Sequence, residues 1–141
     1  MKLSATQETR RIAPKTPTGL NVLLVNSSSR EQGSVTRHLT HQIVEQLRKH
    51  HSIAKLTVRD LVASPLPFID SKWVDANFTR AEERNARQHK VLSQSNELVE
   101  EVKAADVIVL GVPIYNFSVP GVMKAWIDLV ARAWVVRGVV R

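Results

Sequence analysis

A hydroxyl-rich stretch, NSSSREQGSVT at Asn26–Thr36, follows an apolar run and contains residue types that bind phosphate. Ser28 lies early in the stretch, whereas Ser34 and Thr36 lie where the pattern predicts that a helix begins. Hydroxyls and backbone N–H groups at a helix N-terminus attract an anion, because these donors lack partners within the helix and the helix dipole is positive there. The stretch predicts either a phosphate-binding loop or a simple capping turn.

Strand patterns flank this stretch and recur further along the chain. The apolar runs at 21–26 (NVLLVN) and 107–110 (VIVL) predict strands that helices cover on both faces. The segment AKLTVRDL at 54–61 alternates apolar and polar residues and predicts a half-exposed edge strand.

Three helices are predicted between and after these strands. Ser34 is expected to cap the first helix, which ends near His50 and carries one apolar stripe. That stripe comprises Val35, Leu39, Ile43 and Leu47, with Val44 beside them. The second helix is predicted from about Arg80 to Ala105, after an irregular loop SPLPFIDSKW, and its apolar side comprises Leu92, Leu98, Val99 and Val102. The third is expected to begin near Pro120, since proline is preorganised for a first helical turn.

The order of elements predicts an α/β fold, a doubly wound parallel sheet between two helix layers. The two apolar strands would be central and the alternating strand would lie outside the first, which is a flavodoxin-like order. Ligands of such sheets bind beyond the carboxyl ends of the strands where the winding reverses. The stretch at Asn26–Thr36 and the aromatic segment PIYNF at 113–117 both lie there. Either segment alone could be structural, and their joint position favours a binding site.

Length and composition favour one domain in a reducing compartment. The chain has 141 residues, 43% of them hydrophobic, and it contains no cysteine. No apolar run approaches the roughly 20 residues of a membrane span, and the N-terminus lacks the apolar centre of a secretion signal. We therefore expect a cytoplasmic protein that does not enter a membrane.

The formal charge of +7 does not indicate a nucleic-acid partner. Three of these positive charges come from residues 1–19 and three from residues 132–141, so the body between them is nearly neutral. A duplex-binding surface needs several phosphate contacts on one face. Residues 1–19, which show no apolar period, are instead predicted to form a basic, disordered leader before a domain at 20–133.

Two segments resemble the FMN-dependent NADH-azoreductases, a flavodoxin-like family of NAD(P)H:quinone and azo-compound reductases. These segments are LTVRDL at 56–61 and DVIVLGVPIYNFSVPGVMKAWIDLVARA at 106–133, and the resemblance as a whole extends from about Asn21 to Ala133. The combination of PIYNF with the helix KAWIDLVARA is the most specific part. The first loop is similar in length and in the positions of its serines.

The resemblance implies a flavin site at both segments. By position, the family's FMN-binding residues fall on Ser28, Ser34, Val35 and Thr36 for the phosphate and on Ile114, Tyr115, Asn116 and Phe117 along the isoalloxazine. Ile114 stands where the family has methionine, and Thr36 where it has serine. No catalytic side chain is implied, because hydride passes between nicotinamide and flavin while the protein positions the two. The family uses NADH or NADPH, reduces quinones and azo bonds, and forms homodimers with each flavin near the interface.

The resemblance stops before the last residues, WVVRGVVR at 134–141. The family's continuation has further strands, their helices and an S-R-G-G loop that contributes a third flavin contact. We therefore expect a C-terminally truncated chain, an incomplete sheet, and an unpaired edge on the strand at 107–110. The alternative function is that of a non-catalytic, truncated flavodoxin-like fragment with weak or no FMN binding.

Two further groups of residues have side chains that could form a site. His38, His41 and Glu45 share a helix face and could bind a metal, but this spacing arises on any polar helix face, so no metal is predicted. Trp126 and Trp134 are expected to be core or dimer contacts rather than catalytic groups.

Overall fold

The structure is a computed structural model that describes residues 19–132. Nearly all of the predicted leader, the predicted tail at 134–141 and Trp134 therefore lie outside the described residues. The described part forms three strands, four α-helices and one 3-10 turn. These are β1 (Leu20–Asn26), α1 (Val35–His50), β2 (Ile53–Asp60), α2 (Ser71–Phe78), the 3-10 turn (Ala81–Glu83), α3 (Ala86–Ala104), β3 (Val107–Gly111) and α4 (Gly121–Val130).

The strands form one parallel sheet in the order β2-β1-β3, as the sequence predicts. Helix α1 packs on one face through Val44 against Val22 and Val109, while α2, α3 and α4 pack on the other face. The second layer holds the larger core, a cluster that contains Leu23 of β1 and buried residues of all three helices, Trp126 among them. Trp126 is thus a core residue. The predicted α/β, flavodoxin-like architecture with helices on both faces is confirmed.

The edge strands differ in character. On β2, Ala54, Lys55 and Val58 are exposed and the other residues are partly buried, as expected of an edge. Strand β3 has no further strand beside it within residues 19–132, and its Ile108 and Leu110 side chains are 40% and 48% exposed. The predicted unpaired edge is therefore present in the described part of the chain.

The segment before the long helix departs from the prediction. The expected loop SPLPFIDSKW runs into helix α2, because the Asp70 carboxylate accepts a hydrogen bond from the Trp73 N–H at 2.8 Å and caps the helix. The predicted start of the long helix at Arg80 is wrong. Helix α3 begins at Ala86, where Asn85 and Gln88 form a reciprocal capping box that sets the first turn.

The apolar stripe of α1 does not pack as a unit. Val44 is buried and Leu47 is half-buried, but the stripe residues of the first turns are exposed: Val35 by 71%, Leu39 by 51% and Ile43 by 48%. Thr40 is buried in their place and its hydroxyl donates to Asn26 Oδ1 at 3.1 Å. The helix is therefore rotated so that a polar contact to the end of β1 forms at its N-terminal half.

Candidate functional site

The carboxyl ends of β1 and β3 meet at Asn26 and Gly111, which are partners in the sheet register. A Cβ on Gly111 would lie 2.7 Å from Asn26 Oδ1, so only glycine allows this approach. Just beyond, the buried Ser27 donates to the Gly111 carbonyl from both its backbone N–H at 3.0 Å and its hydroxyl at 2.8 Å. The two strand ends are consequently held together at the start of the loop.

The loop from β1 to α1 brings two of the predicted site residues into contact. Ser28 and Ser34 are both buried, and the Ser34 hydroxyl donates to Ser28 Oγ at 2.9 Å. Ser34 also caps α1, because its Oγ accepts the Arg37 N–H at 3.2 Å. Gly33, just before the cap, has a φ of 65°, in the left-handed region that glycine adopts without strain. The sequence-predicted cap is therefore confirmed.

The first turn of α1 offers donors for an anion. The backbone N–H groups of Val35 and Thr36 precede the first intrahelical hydrogen bond, in which the His38 N–H donates to the Ser34 carbonyl. The space that a side chain on Gly33 would occupy is open. Hydroxyls, orphan N–H groups and the helix dipole together form a donor set that fits a phosphate group.

The second segment turns back on itself beside this loop. Tyr115 and Ser118 exchange backbone hydrogen bonds of 2.9 and 3.0 Å, and the two residues between them, Asn116 and Phe117, have φ values of 49° and 65°. Two successive positive φ values are typical of a type I′ hairpin turn. The turn leaves Ile114 81% exposed and Phe117 fully exposed, so both present apolar surface to a ligand or to solvent.

Tyr115 connects the two segments. Its hydroxyl accepts a hydrogen bond from the Ser29 N–H at 3.1 Å. Hydrogen bonding by the neighbouring Ser28 hydroxyl and the Ser29 N–H lowers the pKa of the Tyr115 phenol. The structure thus brings the predicted residues of both segments together beyond the carboxyl ends of β1 and β3. Their role in binding stays a prediction.

Two residues of the site were not predicted individually. Arg37 of α1 and Asp60 at the end of β2 form an ion pair, and the second guanidinium nitrogen of Arg37 donates to the Ser28 carbonyl at 2.8 Å. Hydrogen bonds from Arg37 and from the Ala63 and Val62 N–H groups lower the pKa of Asp60 to about 2. Arg37 directly follows the hydroxyl-rich stretch at 26–36 and Asp60 lies within LTVRDL at 56–61, yet spacing along the sequence does not indicate that a helix residue contacts the end of a strand.

No group of three or more His, Asp or Glu side chains within residues 19–132 could hold a metal ion. Glu45 instead pairs with Arg48 at 2.7 Å. No helix between residues 19 and 132 has both the length and the apolar character of a membrane span.

A doubly wound parallel sheet with a donor-rich loop at its switch point is typical of a class of α/β ligand-binding domains. Residues 20–138 match a family model described as a flavodoxin-like fold. The chain therefore belongs to the flavodoxin-like family, as its sequence indicates.

Relatives and solved structures agree with this assignment. The chain is 48% identical over 115 residues to "FMN-dependent NADH:quinone oxidoreductase 1" of Jannaschia sp. (strain CCS1), which covers 82% of this chain and 57% of that protein. The crystal structure of the azoreductase AzrA has a TM-score of 0.72 at 22% identity, covering 80% of this chain and 56% of the other.

A second solved structure is an FMN-dependent NADH-azoreductase from Bacillus anthracis str. Ames Ancestor in complex with FMN. Its TM-score is 0.64 at 21% identity, with 78% of this chain and 55% of the other covered. At this level of identity both structures show a common fold. The chain spans a little over half the length of the proteins it matches.

Proposed function

We propose that this chain carries the FMN phosphate site of an FMN-dependent oxidoreductase that transfers electrons from NADH or NADPH to quinones and azo compounds. The observation that carries this proposal is the meeting of the Ser28 and Ser34 hydroxyls at the N-terminus of α1, beside the turn that contains Tyr115. The 48% identical relative, named for FMN, NADH and quinone, supplies the reaction class.

In this proposal the first loop holds the flavin phosphate. The N–H groups of Val35 and Thr36 would donate to the phosphate oxygens, together with the hydroxyls of Ser28, Ser34 and Thr36. Three serine or threonine hydroxyls and two orphan N–H groups bind an anion without an added cation, because the helix dipole already favours negative charge.

The turn at 114–117 would contact the flavin ring. The exposed Ile114 and Phe117 side chains supply apolar surface, and the Asn116 amide offers donors and an acceptor for ring heteroatoms. FMN, when bound, supplies the hydride and electron transfer chemistry. The residues of this chain therefore bind and orient the cofactor, and we assign none of them as a general acid or base.

We further propose that the protein acts as a homodimer in the cytoplasm. The exposed apolar side chains of Ile108 and Leu110 on β3 support self-association, because a second copy can cover an unpaired strand edge. The absence of cysteine is consistent with a reducing compartment.

Titration of the purified chain with FMN tests the proposal. Flavin fluorescence and the visible absorption band report binding, and size-exclusion chromatography of the same sample reports the oligomeric state. We expect saturable binding of one FMN per chain by a discrete species, followed by NADH oxidation when a quinone is added. A chain that elutes as folded protein but leaves the flavin signals unchanged would contradict the proposal.

A charge substitution tests whether the loop between β1 and α1 binds the FMN phosphate. Ser34→Asp keeps an efficient helix cap, so the fold should be retained, but its carboxylate repels the phosphate and should weaken FMN binding by at least about tenfold. The matched control is Ser93→Asp on the exposed face of α3, which adds the same charge away from the site. Equal FMN affinity in Ser34→Asp and Ser93→Asp would refute the assignment of this loop.

A further inference from the structure

Arg37 joins three parts of the fold through one guanidinium group. It lies in the first turn of α1, where its Nη1 donates to Asp60 Oδ2 and its Nη2 donates to Asp60 Oδ1 at 3.1 Å. The same Nη2 donates to the Ser28 carbonyl at 2.8 Å. The side chain therefore connects the helix, the end of β2 and the loop between β1 and α1.

Asp60 is itself fixed to the backbone. Its Oδ1 accepts hydrogen bonds from the Val62 N–H at 3.0 Å and the Ala63 N–H at 3.2 Å. The next residue, Leu61, donates its N–H to the Asn26 carbonyl at 2.9 Å. The carboxylate thus has a defined position relative to the end of β1. Through its hydrogen bonds to both residues, Arg37 holds Ser28 at a fixed position relative to Asp60.

The pair is largely shielded from water. The Arg37 and Asp60 side chains are 21% and 27% exposed, and each satisfies the other's charge. Removal of either partner would leave a partly buried, unpaired charge. A bidentate guanidinium can hold a carboxylate and a carbonyl at the same time because its donors lie in one rigid plane.

We propose that Arg37, oriented by Asp60, is a positioning residue, and this inference rests on the proposed function. Arg37 sets the geometry of the phosphate-binding loop and thereby the preference for FMN over riboflavin. Arg37 acts through the Ser28 carbonyl, which places the Ser28 hydroxyl against Ser34 at the N-terminus of α1. Riboflavin lacks the phosphate, so its binding does not depend on this loop geometry.

The test compares the Kd values of FMN and riboflavin for the wild-type chain and for Arg37→Lys. Lysine keeps the positive charge beside Asp60 but cannot hold two acceptors in a fork. We expect the FMN Kd to rise about tenfold, since loss of the charged hydrogen bond from Arg37 to the Ser28 carbonyl releases the phosphate loop. The riboflavin Kd should change by less than about twofold, because riboflavin has no phosphate to place in that loop. Asp60→Asn, which removes the partner charge, should shift the ratio of the two Kd values in the same direction.

Arg48→Lys is the matched control, because Arg48 is another arginine of α1 whose ion pair with Glu45 lies on the surface. It should leave both Kd values unchanged. If Arg37 had a purely structural role, Arg37→Lys would raise the Kd values of FMN and riboflavin by the same factor. If wild type prefers FMN and Arg37→Lys keeps the full preference, the inference is overturned while the proposed function stands. If wild type binds FMN and riboflavin equally, the proposed phosphate site and the inference both fail.

Discussion

The hydroxyl of Tyr115 accepts a hydrogen bond from the backbone N–H of Ser29 at 3.1 Å, across 86 positions of sequence. This contact joins the loop after β1 to the turn after β3. The register pairing of Asn26 with Gly111 brings the two strand ends together, and the Tyr115 contact extends that proximity to the loops. A ligand that spans the two loops would therefore meet a preformed arrangement.

Tyr115→Phe tests this connection. The variant loses only the hydroxyl, and because the residue is partly exposed we expect a stability loss below about 1 kcal/mol. FMN affinity should fall several-fold, since the two loops are no longer tied. The measurement pairs thermal unfolding with FMN titration. Ser118→Ala, which also removes one hydroxyl from the turn but keeps its backbone hydrogen bonds, should bind as wild type does.

Gly111→Ala is expected to destabilise the fold by about 1–3 kcal/mol, because the new methyl group would meet the end of β1 and α1. Its Cβ would lie 2.7 Å from Asn26 Oδ1 and 3.0 Å from Thr40 Cγ2. Urea unfolding at neutral pH measures the loss. Gly121→Ala is the control, since nothing lies within 4 Å of its Cβ and alanine favours the first turn of α4. Equal stability of both variants would contradict this packing.

The Arg37–Asp60 pair should make stability depend on pH in the acid range. Hydrogen bonds from Arg37 and from the Ala63 and Val62 N–H groups lower the pKa of Asp60 to about 2. The ionised carboxylate therefore stabilises the fold fully above the unfolded pKa of about 3.9 and loses this contribution as the pH falls toward 2. Asp60→Asn should be less stable than wild type by about 1–2 kcal/mol at pH 7, allowing for solvent screening.

Urea unfolding of wild type and Asp60→Asn across this range measures the effect. The difference in unfolding free energy should be constant from neutral pH down to about pH 4 and should shrink below it. A difference that does not change with pH would show that the Asp60 carboxylate is not held ionised by Arg37.

Features with a local cause were predictable from the sequence. The apolar run that became β1 needed burial on both faces, which placed it at the centre of the sheet, and the charged alternation around Arg59 placed β2 at the edge. The prediction that helices also cover both faces of β3 is wrong for residues 19–132, because Ile108 and Leu110 are exposed there. Ser34 could be identified as a cap because its role depends only on the three residues that follow it.

One local signal was missed. The charged run at Arg80 suggested continuous helix, whereas a capping box between Asn85 and Gln88 starts α3 at Ala86.

Features that depend on contacts distant in sequence were not predictable. The stripe through Val35 and Leu39 suggested a core face, whereas the helix is rotated so that Thr40 reaches Asn26. The Arg37–Asp60 pair could not be inferred either, since it spans 23 positions.

The open edge of β3 leads to a prediction on self-association. Leu110→Lys places a charge on this edge, and charged edge strands resist pairing with another chain. We expect the variant to shift toward monomer in light scattering over a concentration series. Val58→Lys changes a residue that is 55% exposed on β2, whose edge already carries Lys55 and Arg59, and should leave association as in wild type. The same shift in both variants would exclude β3 as the contacting edge.

The turn at Asn116 and Phe117 combines backbone strain with exposure. Phe117 has a φ of 65° and a fully exposed ring, so no burial among residues 19–132 compensates the unfavourable conformation of a bulky residue. Strain of this kind, of order 1 kcal/mol or more, persists at sites where it serves function. A ring held outward in this way is suited to contact a ligand.

Phe117→Gly separates the effect of the backbone strain on stability from the effect of the exposed ring on flavin binding. Glycine adopts the same φ without strain, so we expect stability to be unchanged or to rise by up to about 1 kcal/mol, although glycine also gains freedom in the unfolded chain. FMN affinity should fall, because the apolar surface offered to the flavin is lost. The control is Phe68→Gly, which removes an exposed ring from an irregular segment and should leave FMN affinity unchanged. Phe78→Gly is unsuitable as a control, because Phe78 ends helix α2. An unaltered FMN Kd in Phe117→Gly would mean that the strained turn serves another purpose than flavin contact.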